Sequence, residues 1–277
     1  MARRHDTISF LSDYGIRDEF VGVVKSVLRQ IAPHAQVIDI SHEIAPHDVR
    51  AGALTLVRSA QYLVPGVVLA VVDPGVGTDR RRVAVEVGEG QSVLVGPDNG
   101  LLAPCVGMVG GADRAVELDN TELHLDAPGA TFDGRDVFAP AAGHLAAGRD
   151  LSELGTAIDP ATLQPGVLPL SRREGDMVVG QVLWVDRFGN AQLNVDPDEV
   201  PEDQDRVVLQ WGDTRRTAAR AGSYAELGPG DIGLVVDSYG LLSVCLNGRH
   251  AADELGIGEG DEVIIEPVDT IEVRIAR

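Results

Sequence analysis

The chain has 277 residues, 44% hydrophobic and only 4% aromatic, and its 43 acidic against 23 basic residues give a formal net charge of −20. That length holds two domains with a sizeable core, while the acidity argues against a nucleic-acid or anionic-membrane surface, which would need a basic stripe. Two cysteines, Cys105 and Cys245, make neither a disulfide framework nor a metal-ligand pair, so a reducing cytoplasm is the expected setting.

Thr7–Leu11 reads as a first strand. Its apolar run breaks at Ser12-Asp13, too early for a secretory leader, and leaves an acid at the strand's carboxyl end. Phe20, Val23, Val24, Val27, Leu28 and Ile31 recur at helical spacing, and Pro33 closes that helix. Val37–Ile40 is a second strand, and Asp48 is placed to cap a helix running to Ala60. Val67–Val72 is apolar without a break and rich in β-branched residues, the pattern of a strand buried on both faces. It runs into Asp73 and then Pro74-Gly75-Val76-Gly77. An acid at the end of a buried strand, leading into a Gly-rich turn, is where open α/β sheets bind ligands. Arg80, seven residues on, is expected to face Asp73 across a small polar pocket. Val83–Val87 and Ser92–Val95 read as a hairpin or a pair of strands, Gly96–Gly100 is a turn, and the alternation of strand and helix predicts a parallel sheet with covering helices.

Ala130–Pro140 is a second polar cluster carrying Asp133, Arg135 and Asp136, and Ala139–Ala147 reads as a short helix. Pro160–Glu174 lacks helical periodicity. Beyond it, Val178–Val185, Val207–Trp211, Ile232–Val236, Leu241–Leu246 and Glu262–Glu266 are short strand-like runs between turn signals. Asp186–Asn190 fits a hairpin tip and Ser238-Tyr239-Gly240 a β-turn. The expected organisation is an α/β domain with a mainly parallel sheet over 1–160, a linker over 161–175, and an all-β barrel over 176–277. No internal repeat is expected, no stretch has the length of a transmembrane helix, and the scattered histidines have no metal-ligand spacing.

With these motifs in place, the chain resembles the S-adenosylmethionine (SAM) hydroxide adenosyltransferases, or SAM hydrolases, relatives of the SAM-dependent fluorinase and chlorinase. The likeness runs through FLSDYG, VIDISHEI, DVRAGA, VDPGVGTDRR, VGPDNGLL, TFDGRDVFAP, VDRFGNAQLN and DSYGLLSV, in the family's order over nearly the whole length. It implies an α/β domain followed by a β-barrel domain. It also implies a homotrimer with each site between the first domain of one subunit and the second domain of a neighbour. The implied reaction converts SAM and water to adenosine and L-methionine, with SAM as the substrate and no cofactor or metal.

The family's catalytic trio of Asp, Arg and His falls on Asp73, Arg80 and Asp133, the last a departure, since the family's T-F-H-G-R-D reads T-F-D-G-R-D here. By the resemblance Asp13 holds the ribose hydroxyls, and Asp186, Asn190 and Ser238 hold the methionine end. Tyr239 stands where the halogenases have an Arg. Phe132 and Tyr224 pack on adenine, whose edge is read by backbone near Leu246 and Gly248. A halogenase is the alternative enzyme. Against it stand Asp73, where the halogenases carry Tyr in a Y-P-A-T-G context, and the minimal turn at Gly88–Gln91, where they carry a long insertion. A carboxylate at that place repels a halide. A non-catalytic adenosine- or SAM-binding protein, with Asp133 marking lost activity, is the third reading.

Overall fold

The computed structural model describes residues 4–201 and 204–268; residues 1–3, 202–203 and 269–277, which the expected domains include, lie outside the described residues. The chain divides into two compact units, Met1–Leu168 and Pro169–Arg277.

The first unit is built on β3 (Val67–Val71), where alternate side chains enter two different cores. Val67, Leu69 and Val71 pack with α1 (Phe20–Ile31) and α4 (Ala139–Ala146), whereas Val68, Ala70 and Val72 pack with α2 (Val49–Ala60) and α3 (Ala103–Met108). A strand sandwiched in this way has no polar face to offer, which is why its sequence shows no alternation. The sheet runs β2 (Gln36–Ser41), β1 (Thr7–Ser12), β3, β5 (Ser92–Pro97), β4 (Arg82–Val87), β6 (Ala112–Glu117), β7 (Thr156–Ile158). The four strands β2, β1, β3 and β5 are parallel, and the remaining three continue antiparallel. Asp48 caps α2 by accepting the Ala51 N–H at 2.8 Å, as its position ahead of the helix predicts. Gly96 and Pro97, expected in a turn, complete β5 instead, because Gly96 lets that strand close on β3.

Chain order and strand order differ at one place. From β1 the chain passes to β2 on one side and then returns to β3 on the other, so the connections diverge between β1 and β3. Open α/β sheets form their ligand crevice outside the carboxyl ends of the strands at such a switch point. Asp13 follows β1 and Asp73 follows β3, so both acids leave the sheet at that place.

The second unit is a closed seven-stranded barrel in the order β10 (Ala191–Leu193), β14 (Leu242–Leu246), β13 (Ile232–Val236), β12 (Thr214–Ala221), β11 (Arg206–Trp211), β15 (Glu262–Pro267), β9 (Met177–Val185), with β9 pairing back to β10. β8 (Arg172–Glu174), within the stretch expected as linker, pairs with β9. Val182, Leu193, Leu209, Leu234, Val244 and Val263 fill the interior, and the short helix α5 (Ala251–Leu255) packs on it through Ala251 and Ala252. Trp211 Nε1 donates to the Leu255 carbonyl at 3.1 Å. No helix among the described residues is long and apolar enough to cross a membrane.

A methyl group at Gly96 would lie 2.3 Å from the Ala70 carbonyl oxygen on β3. Backbone cannot give way there as a flexible side chain would. Gly96→Ala is therefore expected to lower stability by roughly 1–3 kcal/mol, measured by urea unfolding.

Candidate active site

Three residues proposed from sequence meet at the carboxyl end of β3. Arg80 Nε donates to Asp73 Oδ1 at 2.8 Å, its Nη2 donates to Asp73 Oδ2, and the same Nη2 donates to Asp133 Oδ2 at 2.5 Å. The three side chains are 10%, 6% and 9% exposed in the order Arg80, Asp73, Asp133. Asp73 and Arg80 thus do not face each other across a pocket. The loop folds back at Gly75–Thr78, where Thr78 Oγ1 and N both donate to the Gly75 carbonyl, and this return delivers the guanidinium onto the carboxylate. Burial alone would lower the Arg80 pKa, but the hydrogen bonds to Asp73 and Asp133 outweigh it and hold the guanidinium above its ordinary value. Two carboxylates and one guanidinium sum to a single negative charge, with Arg82 Nη1 3.9 Å from Asp133 as a more distant cation.

Asp133 comes from a wide helical turn, Gly134–Phe138, that leads into α4. Sequence periodicity does not reveal this turn. Gly134 has to be small, because a Cβ there would lie 1.9 Å from the Tyr14 hydroxyl. Tyr14 lies in FLSDYG beside Asp13 and was not singled out from sequence. Its phenol is pushed well above its ordinary pKa, first by burial and then by the charges of Asp13, Asp73 and Asp133. It remains a neutral hydrogen-bond donor at physiological pH. Its ring meets Phe132 at 5.6 Å between centroids, and Phe20 meets Phe132 at 5.1 Å. These three rings line a cavity of about 540 Å³ with Thr131 and Arg135. Asp13 itself accepts the His47 N–H at 2.9 Å.

In the second unit Asp186, Asn190, Tyr224, Ser238, Leu246 and Gly248 all line one cavity of about 830 Å³. Tyr239 is not among its lining residues; its N–H donates to Asp237. Asp237, which does line the cavity, is a residue that sequence reasoning passed over, and so are Phe188 and His250. The signal was present. Val-Asp-x-aromatic-Gly occurs twice, as Val185–Gly189 and Val236–Gly240, and both copies fold alike. Asp186 Oδ1 accepts the N–H groups of Phe188 and Asn190, and Asp237 Oδ1 accepts those of Tyr239 and Leu241. Gly189 and Gly240 have φ of 86° and 84°. Burial raises the Tyr224 pKa, with Cys245, Asp186 and Asp237 adding to the shift, and burial pushes Cys245 up to about 12.

Among the described residues no cluster of His, Cys, Asp and Glu is arranged to hold a metal ion. The sites sought from sequence thus fall into two groups, one on each unit: acids around an arginine at a sheet's switch point, and an acidic cavity on a closed barrel. Residues 8–155 match the SAM hydroxide adenosyltransferase N-terminal domain and residues 180–264 the C-terminal domain. The chain belongs to the SAM hydroxide adenosyltransferase family. An (R)-S-adenosyl-L-methionine hydrolase of Salinispora tropica is 43% identical over 256 residues, covering 92% of this chain and 96% of its own. A fluorinase of an Actinoplanes species is more distant, at 29% over 218 residues, covering 70% of this chain and 73% of its own. An uncharacterised protein of Thermotoga maritima has a similar solved structure, with a TM-score of 0.87, 34% identity, and coverage of 94% of this chain and 99% of that one.

Removing Arg80 would leave Asp73 and Asp133 buried without their shared donor. Arg80→Met is expected to cost roughly 3–5 kcal/mol at neutral pH. Denaturant unfolding of the variant beside the wild type would read this loss.

Proposed function

We propose that the protein hydrolyses SAM to adenosine and L-methionine, with water attacking the 5′ carbon in line with the sulfonium. The shared guanidinium of Arg80 between Asp73 and Asp133 carries this reading, and it is supported by the family membership and by the hydrolase relative at 43% identity. As the water oxygen bonds to C5′, the C5′–S bond breaks and its electron pair neutralises sulfur, which leaves as the thioether of methionine. A sulfonium needs no acid to expel it. The site has instead to hold the adenosyl group and a water in line, and such positioning supplies roughly 7–11 kcal/mol of barrier reduction.

Each oxygen of Asp73 accepts one N–H from Arg80, which leaves a lone pair on each for a water proton. Asp73 therefore orients the water and takes up its proton, and Arg80 keeps the carboxylate from turning and stabilises hydroxide as it develops. The trio's net negative charge receives the sulfonium. Asp133 stands where the family's T-F-H-G-R-D has its His; here it adds a second anion on Arg80. Asp13 accepts from the ribose diol and Phe132 packs on adenine. In the second unit Asp186, Asn190 and Ser238 take the methionine end, Tyr239 flanks it, and Tyr224, Leu246 and Gly248 serve adenine.

The two compact units serve as the two domains. In this reading the protein is a homotrimer in which the first group of one subunit completes the second group of a neighbour, a head-to-tail arrangement that closes into a ring. No cofactor takes part. Two free, buried cysteines suit a reducing cytoplasm.

Hydrolysis in ¹⁸O-labelled water should place the label in the adenosine 5′-hydroxyl, with no requirement for halide. Asp73→Asn keeps the shape but loses the basic oxygen, and is expected to cut kcat by about 10²-fold or more with SAM binding largely kept. Undiminished turnover would overturn the mechanism.

Asp186→Ala should weaken SAM about 10- to 100-fold, the worth of one hydrogen bond to a charged group, and leave adenosine affinity unchanged in calorimetry. Mixing this variant with Asp73→Asn should restore part of the wild-type activity once subunits exchange, whereas a monomer by light scattering would rule the trimer out.

A further inference from the structure

A second constellation of the first unit has the residue types of a serine hydrolase. His42 Nε2 lies 3.0 Å from Asp39 Oδ1, His42 Nδ1 lies 2.8 Å from Ser12 Oγ, and Lys25 Nζ donates to Asp39 Oδ2 at 2.5 Å. It cannot act as a nucleophile. Ser12 is 0% exposed and His42 6%, and the Phe10 ring stands edge-on to the imidazole at 4.6 Å between centroids. No substrate carbon can reach that oxygen.

The hydrogen bonds can be directed without conflict. Burial pulls the Asp39 carboxyl upward, but hydrogen bonds from Lys25 and His42 outweigh it and hold the group below the usual carboxylate range. Ionised Asp39 is acceptor-only, which assigns the imidazole proton to Nε2 and leaves Nδ1 to accept the Ser12 hydroxyl. Ser12 Oγ then has lone pairs for the Tyr14 N–H, 3.4 Å away. The chain of donors and acceptors thus runs from Lys25 on α1 through β2 to the loop that follows β1.

That loop carries Asp13. The Gly15 N–H donates to the His42 carbonyl at 2.7 Å, and the His47 N–H donates to Asp13 Oδ2 at 2.9 Å. His47 has φ of 69°, a left-handed conformation that a non-glycine residue adopts only where its surroundings impose it. The segment from His42 to His47 is therefore fastened to the Asp13 loop at Ser12, at Gly15 and at the Asp13 carboxylate itself.

We propose that His42, held by Asp39 and acting through Ser12, is a positioning residue that aims the Asp13 carboxylate at the ribose diol. The inference rests on the reading of Asp13 given above. It concerns binding of the adenosyl end and leaves the attacking water to Asp73 and Arg80.

Adenosine calorimetry and SAM kinetics on Ser12→Ala, His42→Ala, His42→Asn and Asp13→Ala test it, with circular dichroism and thermal melts confirming that each is folded. Ser12→Ala removes one buried oxygen and keeps the proposal testable if His42→Ala fails to fold. Ser12→Ala and His42→Ala should raise the adenosine Kd and the SAM KM about 5- to 20-fold, the scale of one or two hydrogen bonds, with kcat changed less than about twofold. His42→Asn, whose amide oxygen can accept from Ser12, should recover most of the loss. Combined with Asp13→Ala, neither change should weaken adenosine further, since coupled residues are non-additive. Full additivity, or unchanged adenosine affinity in folded Ser12→Ala, overturns the proposal. If Asp13→Ala by itself leaves adenosine affinity unchanged, the ribose assignment fails and takes the proposal with it. Loss of affinity in Asp13→Ala with silent Ser12 and His42 variants rejects the positioning role alone.

Discussion

Two carboxylates with little exposure to water need a cation between them, and Arg80 is that cation. Its Nε and Nη2 occupy Asp73, and Nη2 also reaches Asp133. One guanidinium therefore ties the loop after β3 to the turn that opens α4, two segments separated by more than fifty residues of chain. The planar fork of arginine suits this task, since a lysine would offer a point charge without the paired geometry. Remaining features of the first unit follow from holding that contact. β3 is buried on both faces so that its end is fixed, Gly96 lets β5 close on it, and Gly134 makes room for Tyr14 beside Asp133.

The direction in which each strand points does as much as any side chain. Because β1 and β3 are parallel neighbours, their carboxyl ends deliver Asp13 and Asp73 together. Because the chain leaves β1 toward β2 and comes back to β3, no crossover covers that end of the sheet. The topology thus brings two acid-bearing loops out at the same end of the sheet.

Much of this is legible in the chain. The unbroken apolar run of β3, the helical spacing of α1 and the cap at Asp48 each state a local rule that the tertiary structure obeys. Elements that pattern does not reveal fail for definable reasons. β12 reads Thr-Arg-Arg-Thr-Ala-Ala-Arg-Ala, with Ala218 its one buried residue and few β-branched side chains, and it is a strand because β11 and β13 pair with it on both sides. The tight Gly212-Asp213 connection was the one local signal. The turn at Gly134–Phe138 has hydrogen-bond spacing wider than an α-helix, to which a 3.6-residue periodicity is blind. At the site, an acid at a strand end and the Gly-rich turn after it point to Asp73 and Arg80, and the family resemblance points to Asp133, but their direct contact depends on a loop that doubles back. Tyr14 goes unremarked because an aromatic after an acid carries no pattern until the fold sets it against Gly134.

The twin hairpin tips of the barrel have a consequence for how such a site can change. In each, the leading aspartate accepts two backbone N–H groups of its own tip, so the residue that opens the turn also holds its backbone. Arg187-Phe188 in one tip and Ser238-Tyr239 in the other are therefore carried at matching places on the same hydrogen-bonded frame. Different side chains are thus presented by one geometry, as different bits are held by one chuck. A scaffold of this kind lets selection explore what is gripped while the grip's geometry is inherited intact.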